Sequence, residues 1–264
     1  MAAASVAAVA AALWYTNRAP VPRWEVTGVQ GAPTIGSNPL RGAGHLVEGE
    51  WLETDAISSA RIKVGAIGTI DGAPNTRLRL TTARANEHRL ALERGDISAS
   101  VNAPPRLFFV DTPSSTAIDL GCAYTMHMDE HGNGLLHVTL GWVALEWAGR
   151  VSEVPGTAYC QMRKGVGPGT PYFDDASGRL REALDEFDFG KSVPDVVDTV
   201  MSEARLKDTL TLWHLLARVD PGQRVRVYER IVALAGSPSG ITKEKTLSLD
   251  PATLKRWGDA LVEK

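Results

Sequence analysis

Three histidines, His127, His131 and His137, fall close together around the polar stretch Asp129-Glu-His-Gly-Asn-Gly134. Three imidazoles converging on one point make a zinc site. Here two of them belong to the runs on either side of a turn and the third sits in the turn. No helical spacing aims the rings at one centre. Histidines on a polar hairpin are the simpler reading, so neither metal nor any other cofactor is assigned. The run Gly165-Val-Gly-Pro-Gly-Thr170 has the glycine content of a phosphate-cradling loop. However, Pro168 removes a backbone donor where such a loop needs one, and the Lys-Ser/Thr pair is missing. It reads as a linker.

Asp174-Asp175 and Asp185-Glu-Phe-Asp188 offer paired carboxylates for acid–base work. They are expected at a helix start and along a helix, where acids favour the macrodipole or face water. Neither a Gly-x-Ser-x-Gly elbow nor a His-Glu-x-x-His helix occurs in the chain. No catalytic residue is therefore assigned, and the chain is expected not to be an enzyme.

The two cysteines, Cys122 and Cys160, lack metal-binding spacing and both lie in strand-like segments. Two buried free thiols and a disulfide formed in an oxidising compartment both fit, and localisation decides between them. Trp142 and Trp147 have opposite parity on one run, so one is expected in the core and the other outside. An exposed tryptophan would suit a protein or glycan partner, which makes this pair the candidate interaction surface.

The elements that would carry these residues change character along the chain. Residues 44–163 are strand-like nearly throughout, with alternation in Arg77-Leu-Arg-Leu80, Ile97-Ser-Ala-Ser-Val101, Tyr124-Thr-Met-His-Met128 and Leu136-His-Val-Thr-Leu140. A phrase of glycine, alternating apolar residues and a proline turn opens at Gly68 and again at Gly95, with a looser copy at Gly141. Repetition at this spacing predicts stacked strand units sharing one core, as a β-solenoid or a sandwich.

Residues 164–173 read as a linker, and residues 174–264 as a small helical domain. Arg179 opens a first helix ending near Phe189. Leu206, Leu210, Trp213 and Leu216 make an apolar stripe. Asp220-Pro221 and Asp250-Pro251 are helix starts, and Gly236 is a stop. The fold class is thus mainly β with a C-terminal α part.

The formal net charge of −3 leaves no basic field for nucleic acid. Within residues 1–16, the run Met1–Tyr15 is mostly alanine and ends in Trp14-Tyr15, a pair suited to a membrane interface. The run is short for a full span. A membrane-anchor remnant, a signal segment and an alanine-rich helix all fit. Residues 17–43, with Pro20, Pro22, Pro33 and Pro39, read as an extended spacer.

The segment Trp51-Leu-Glu-Thr-Asp-Ala-Ile-Ser-Ser-Ala-Arg-Ile-Lys-Val-Gly65 resembles the opening of a FecR-type domain. Pro74-Asn-Thr-Arg-Leu78, Leu92-Glu-Arg-Gly-Asp-Ile97, Phe109-Val-Asp-Thr-Pro113 and Ala117-Ile-Asp-Leu-Gly121 continue the likeness over residues 49–146. The resemblance implies an extracytoplasmic β domain on a single-span membrane protein, with its body in the periplasm. It also implies a protein partner in the cell envelope linked to sigma-factor signalling. The family's cytoplasmic anti-sigma segment has no counterpart before the alanine run. The chain is expected to be the exported part of a longer protein, or a member that does not regulate sigma directly. The helical C-terminus does not resemble the family's ferric-citrate signalling domain. A cell-wall or glycan-binding module is the alternative.

Overall fold

A computed structural model describes residues 23–190 and 195–262. The membrane-anchor or signal reading of residues 1–16 lies outside them. No helix among the described residues is long and apolar enough to cross a membrane.

The first nine strands are β1 (Arg23–Gln30), β2 (Thr34–Ile35), β3 (Asn38–Pro39), β4 (Ala43–Val47), β5 (Trp51–Glu53), β6 (Ser59–Val64), β7 (Gly68–Gly72), β8 (Arg77–Arg84) and β9 (Glu87–Val101). Nine more follow: β10 (Phe108–Asp111), β11 (Thr116–Asp119), β12 (Cys122–Met128), β13 (Gly134–Leu140), β14 (Trp142–Trp147), β15 (Arg150–Pro155), β16 (Ala158–Arg163), β17 (Gly167–Pro168) and β18 (Tyr172–Phe173). The helices are α1 (Gly178–Phe189), α2 (Val196–Glu203), α3 (Thr209–Leu216), α4 (Pro221–Ala235), α5 (Lys243–Leu247) and α6 (Pro251–Val262), with a 3-10 turn at Leu206–Asp208. The mainly β fold with a helical C-terminus is as the patterning implies.

All the strands join one hydrogen-bonded network, which β9 folds into two layers. Its first half pairs with β8 and β10, its second half with β7 and β12. The crossing is at Gly95, whose φ is +95°. A Cβ there would stand 2.4 Å from the Thr76 Cα, so only glycine fits. The side-chain pattern registers the crossing. Leu90 and Leu92 are buried before it, Ile97, Ala99 and Val101 after it. The inward parity thus switches from even to odd, as a strand must when it leaves one layer for the other. Among the described residues, strand neighbours are antiparallel except for β9 with β10, which favours the sandwich over a solenoid of parallel coils. One core cluster takes in Leu52, Leu80 and Val143 of one layer with Ile62, Tyr124 and Leu136 of the other.

Two expectations are corrected. From Arg23 onward the supposed spacer of residues 17–43 belongs to the sheet: β1 pairs with β4 and β6 and buries Trp24 and Val26. The alternating Trp24 and Val26 were masked by the prolines around them. The linker of residues 164–173 carries β17 and β18, both paired to β16, and residues 167–171 are buried. It seals the end of the β body.

The helices assemble around a second, separate core that includes Leu180, Leu184, Val200, Leu212, Leu215, Ile231 and Trp257. Ser177 caps α1, its Oγ accepting the Leu180 N–H at 3.1 Å. Asp220 caps α4 through the N–H groups of Gly222 and Gln223, with Pro221 at the first helical position and Gly236 ending the helix. Such a cap contributes about 1 kcal/mol. Leu206 departs from the expected stripe: it lies in the 3-10 turn and is 54% exposed.

Candidate functional site

Each residue singled out for chemistry has a definite place. His127 points outward, its Nδ1 2.8 Å from Asp96 Oδ1. His137 stacks on Tyr159, ring centroids 4.0 Å apart and planes 8° from parallel. His131 is exposed in the turn, where Asp129 accepts its N–H and that of Asn133. The three rings have separate neighbours and share no centre.

The acids likewise hold structure together. Asp175 does not start a helix; it accepts from Arg205 and Lys207, which hold its carboxyl down at about 2. Asp185 pairs with Arg163 at 2.9 Å. An open groove of about 940 Å³ runs past Glu53, Asp55, Glu93, Asp96, Asp129 and Glu130. Glu53 and Glu93 pair with Arg77, Asp96 with His127, and Asp129 accepts backbone N–H groups of its own turn. Asp55 is held below the usual carboxylate range by the Ser58 hydroxyl and the Ile57 N–H. A group held that way is ionised and poor at donating a proton at neutral pH.

The disulfide left open between Cys122 and Cys160 is not formed; both are buried free thiols. The register explains it. Cys160 faces Leu136, which faces Met126, so Cys122 lies two strands across and four residues along. At ordinary strand spacing that separates the Cα atoms by roughly 16 Å, well beyond the reach of a disulfide. Cys122 donates to Asp119 Oδ2 at 2.7 Å, and Cys160 donates to the Gly169 carbonyl at 3.2 Å. Burial pushes the Cys160 thiol up to about 12 and the Cys122 thiol higher still.

Trp142 and Trp147 are both half-buried, so the expected split into one core and one surface residue does not occur. Trp147 packs on Gly167, where an added Cβ would meet the indole at 2.8 Å. Trp147 shares the inward parity of the buried Val143 and Leu145, while Trp142 has the other parity and is half-buried all the same.

The most elaborated polar constellation is one that residue spacing did not disclose. It lies in the seam between β15 and the helices. Asp188, near the end of α1, is 2% exposed and sits between Arg150 and Arg218, with the Thr170 hydroxyl and N–H also donating to it. Arg218, past the end of α3, also donates to the Thr170 and Ser152 hydroxyls, at 2.7 Å each. Burial lowers the Arg218 pKa, while Asp188 opposes that effect.

One turn earlier His214 is buried, its Nδ1 2.8 Å from the Leu210 carbonyl and its Nε2 accepting the Glu153 N–H at 3.0 Å. Accepting at Nε2 requires the neutral ring, and burial pushes its pKa down to about 3. The only sequence signal was two basic residues inside an apolar helical stretch, Leu210-Thr-Leu-Trp-His-Leu-Leu-Ala-Arg218. An open groove of about 550 Å³ runs beside the seam, lined by Arg150, Val151, Trp213 and Leu254 among others.

The chain matches no protein-family model and no curated protein. It is similar to two crystal structures of a putative anti-sigma factor from Parabacteroides distasonis. The first has 14% identity and a TM-score of 0.42 over 50% of this chain and 63% of that one. The second has 14% identity and a TM-score of 0.33 over 60% of this chain and 63% of that one. The chain thus spans less than two thirds of either neighbour's length. A likeness this loose assigns no role.

Proposed function

We propose that this chain is the protein-binding, signal-relaying body of a sigma-factor regulator of the FecR type, non-catalytic and carried outside the cytosol. The observation that supports this reading is the placement of the FecR-like phrases. They run from β5 to β14 in uninterrupted order and build the central pairings of both layers. A resemblance that follows the core in order is harder to produce by chance than isolated strand-and-turn phrases. The anti-sigma name of the two structural neighbours agrees with the proposal, but their overlap is too loose to carry it.

The test is capture by residues 23–264 as bait from an envelope extract. Recovery of one protein at fixed stoichiometry, with sigma-dependent transcription changing when the chain is deleted, is the expected result. Retention on peptidoglycan or polysaccharide, with quenching of tryptophan fluorescence by sugar and no protein recovered, would favour the cell-wall or glycan-binding alternative.

A further inference from the structure

Strand β15 is laddered to β14 along one side. Its other side faces the helical unit. The Glu153 N–H points that way and donates to His214 Nε2 at 3.0 Å. Two residues back, on the same side, the Val151 carbonyl accepts from Arg218 Nη2 at 3.1 Å. Two side chains from α3 and its C-terminal extension therefore hold the acceptor and donor positions that a neighbouring strand would hold.

In antiparallel pairing, facing residues exchange N–H and C=O in both directions. Two copies of β15 related by a twofold axis at Ser152 would set Val151 opposite Glu153. They would join through the groups that His214 and Arg218 now occupy.

The seam joins two units with separate cores. The β body and the helices have distinct apolar cores, although Tyr172 of β18 packs against the helical one. Many of the contacts that cross between them are polar: Asp188 with Arg150 and Arg218, Arg163 with Asp185, and the Thr211 hydroxyl with the Pro171 carbonyl; Tyr172 and Phe189 add apolar ones. Relative motion of separately cored units is the default expectation where their interface is polar. Val151 stays 46% exposed beside Trp213 in the adjoining groove, so the cover over the edge is incomplete even when closed.

We infer that the C-terminal helical unit is a latch over the edge of the sheet. In the closed form His214 and Arg218 block β15, and release of the helices lets β15 pair with β15 of a second copy. This does not depend on the signalling role.

The test uses the full chain carrying Asp188→Leu, Arg218→Met and His214→Ala, compared with the unaltered protein. Amide exchange at Glu153 rises at least tenfold in the variant, while Val154, laddered to β14, keeps its protection. Sedimentation shows concentration-dependent dimers for the variant and monomers for the unaltered chain. Adding Glu153→Pro, which removes the edge N–H, restores the monomer.

Three results would overturn the latch: dimers that persist with Glu153→Pro, an exposed Glu153 amide in a chain that stays monomeric, or dimers already formed by the unaltered chain. Should the variant fail to fold, native-state exchange of the unaltered chain in graded urea decides. The latch requires Glu153 to open before Leu145, and simultaneous opening refutes it.

Discussion

The Asp188 carboxylate lies 3.3 Å from Arg218 Nη1 inside the seam, and the two side chains are only 2% and 9% exposed. A buried pair of this kind is costly to break and less costly to replace. Removing Asp188 leaves the Arg218 charge dry and takes away the partner of Arg150 as well.

Asp188→Ala is therefore expected to destabilise the protein by about 3–5 kcal/mol. Asp188→Leu combined with Arg218→Met should cost clearly less, since the deeply buried Arg218 charge leaves with Asp188 and the Arg150 that remains reaches solvent. Urea denaturation of the three proteins checks this. Equal losses in the single and double variants would show that the pair is not coupled.

His214 makes stability depend on pH with a definite sign. Its folded pKa is about 3, against roughly 6.5 for an unfolded histidine. Between those values the unfolded chain binds a proton that the folded chain excludes. The stabilisation is whole above the unfolded pKa and declines as pH falls towards the folded one, by roughly 1.4 kcal/mol per unit at most. His214→Gln keeps an acceptor for the Glu153 N–H but does not titrate. From pH 7 to 5.5 the unaltered protein should lose about 1 kcal/mol more than this variant. Parallel pH profiles would place the imidazole in water.

The thiols of Cys122 and Cys160 are 4% and 0% exposed. With pKa values raised by burial, little reactive thiolate exists at neutral pH. Alkylation of the native protein should be negligible within the time that labels both cysteines in denaturant. Reduction beforehand should change neither result. Appearance of new labelling only after reduction would mean a bond that the register forbids.

Gly95→Ala tests the crossing of β9 between the layers. The substitution combines a positive φ with a clash against the Thr76 backbone, and a loss above about 2 kcal/mol is expected. Gly49 also has a positive φ, +92°, but open space around it. Gly49→Ala should cost only the backbone strain, about 1 kcal/mol. Thermal melts of the two variants, ranked the other way, would remove Gly95 as the hinge of the fold.

Much of the architecture was readable because it rests on local rules. Alternation in Tyr124-Thr-Met-His-Met128 places Tyr124, Met126 and Met128 inside whatever they pair with. Asp220-Pro221 begins a helix through its own carboxylate and ring geometry. Where local rules gave out, proline was the usual cause. It hid β1 among the residues of a supposed spacer, and it made the buried run of residues 167–171 look like a free linker. The split expected between Trp142 and Trp147 failed for a different reason. Parity says only which side of a strand a residue leaves, and both the inward Trp147 and the outward Trp142 end half-buried because coverage depends on what packs there.

By itself, the chain's order of residues determined the strand-rich body, the helical tail, the caps and the inward-facing set, since period and capping act over a few neighbouring positions. Pairing partners act over long separations. Only tertiary structure decided that β9 serves two layers, that Cys122 and Cys160 stand strands apart, and that His214 and Arg218 close an edge some sixty residues away. A buried ionic group is tolerable only where its partners converge, and no window along the chain contains Asp188, Arg218, Arg150 and Thr170 together.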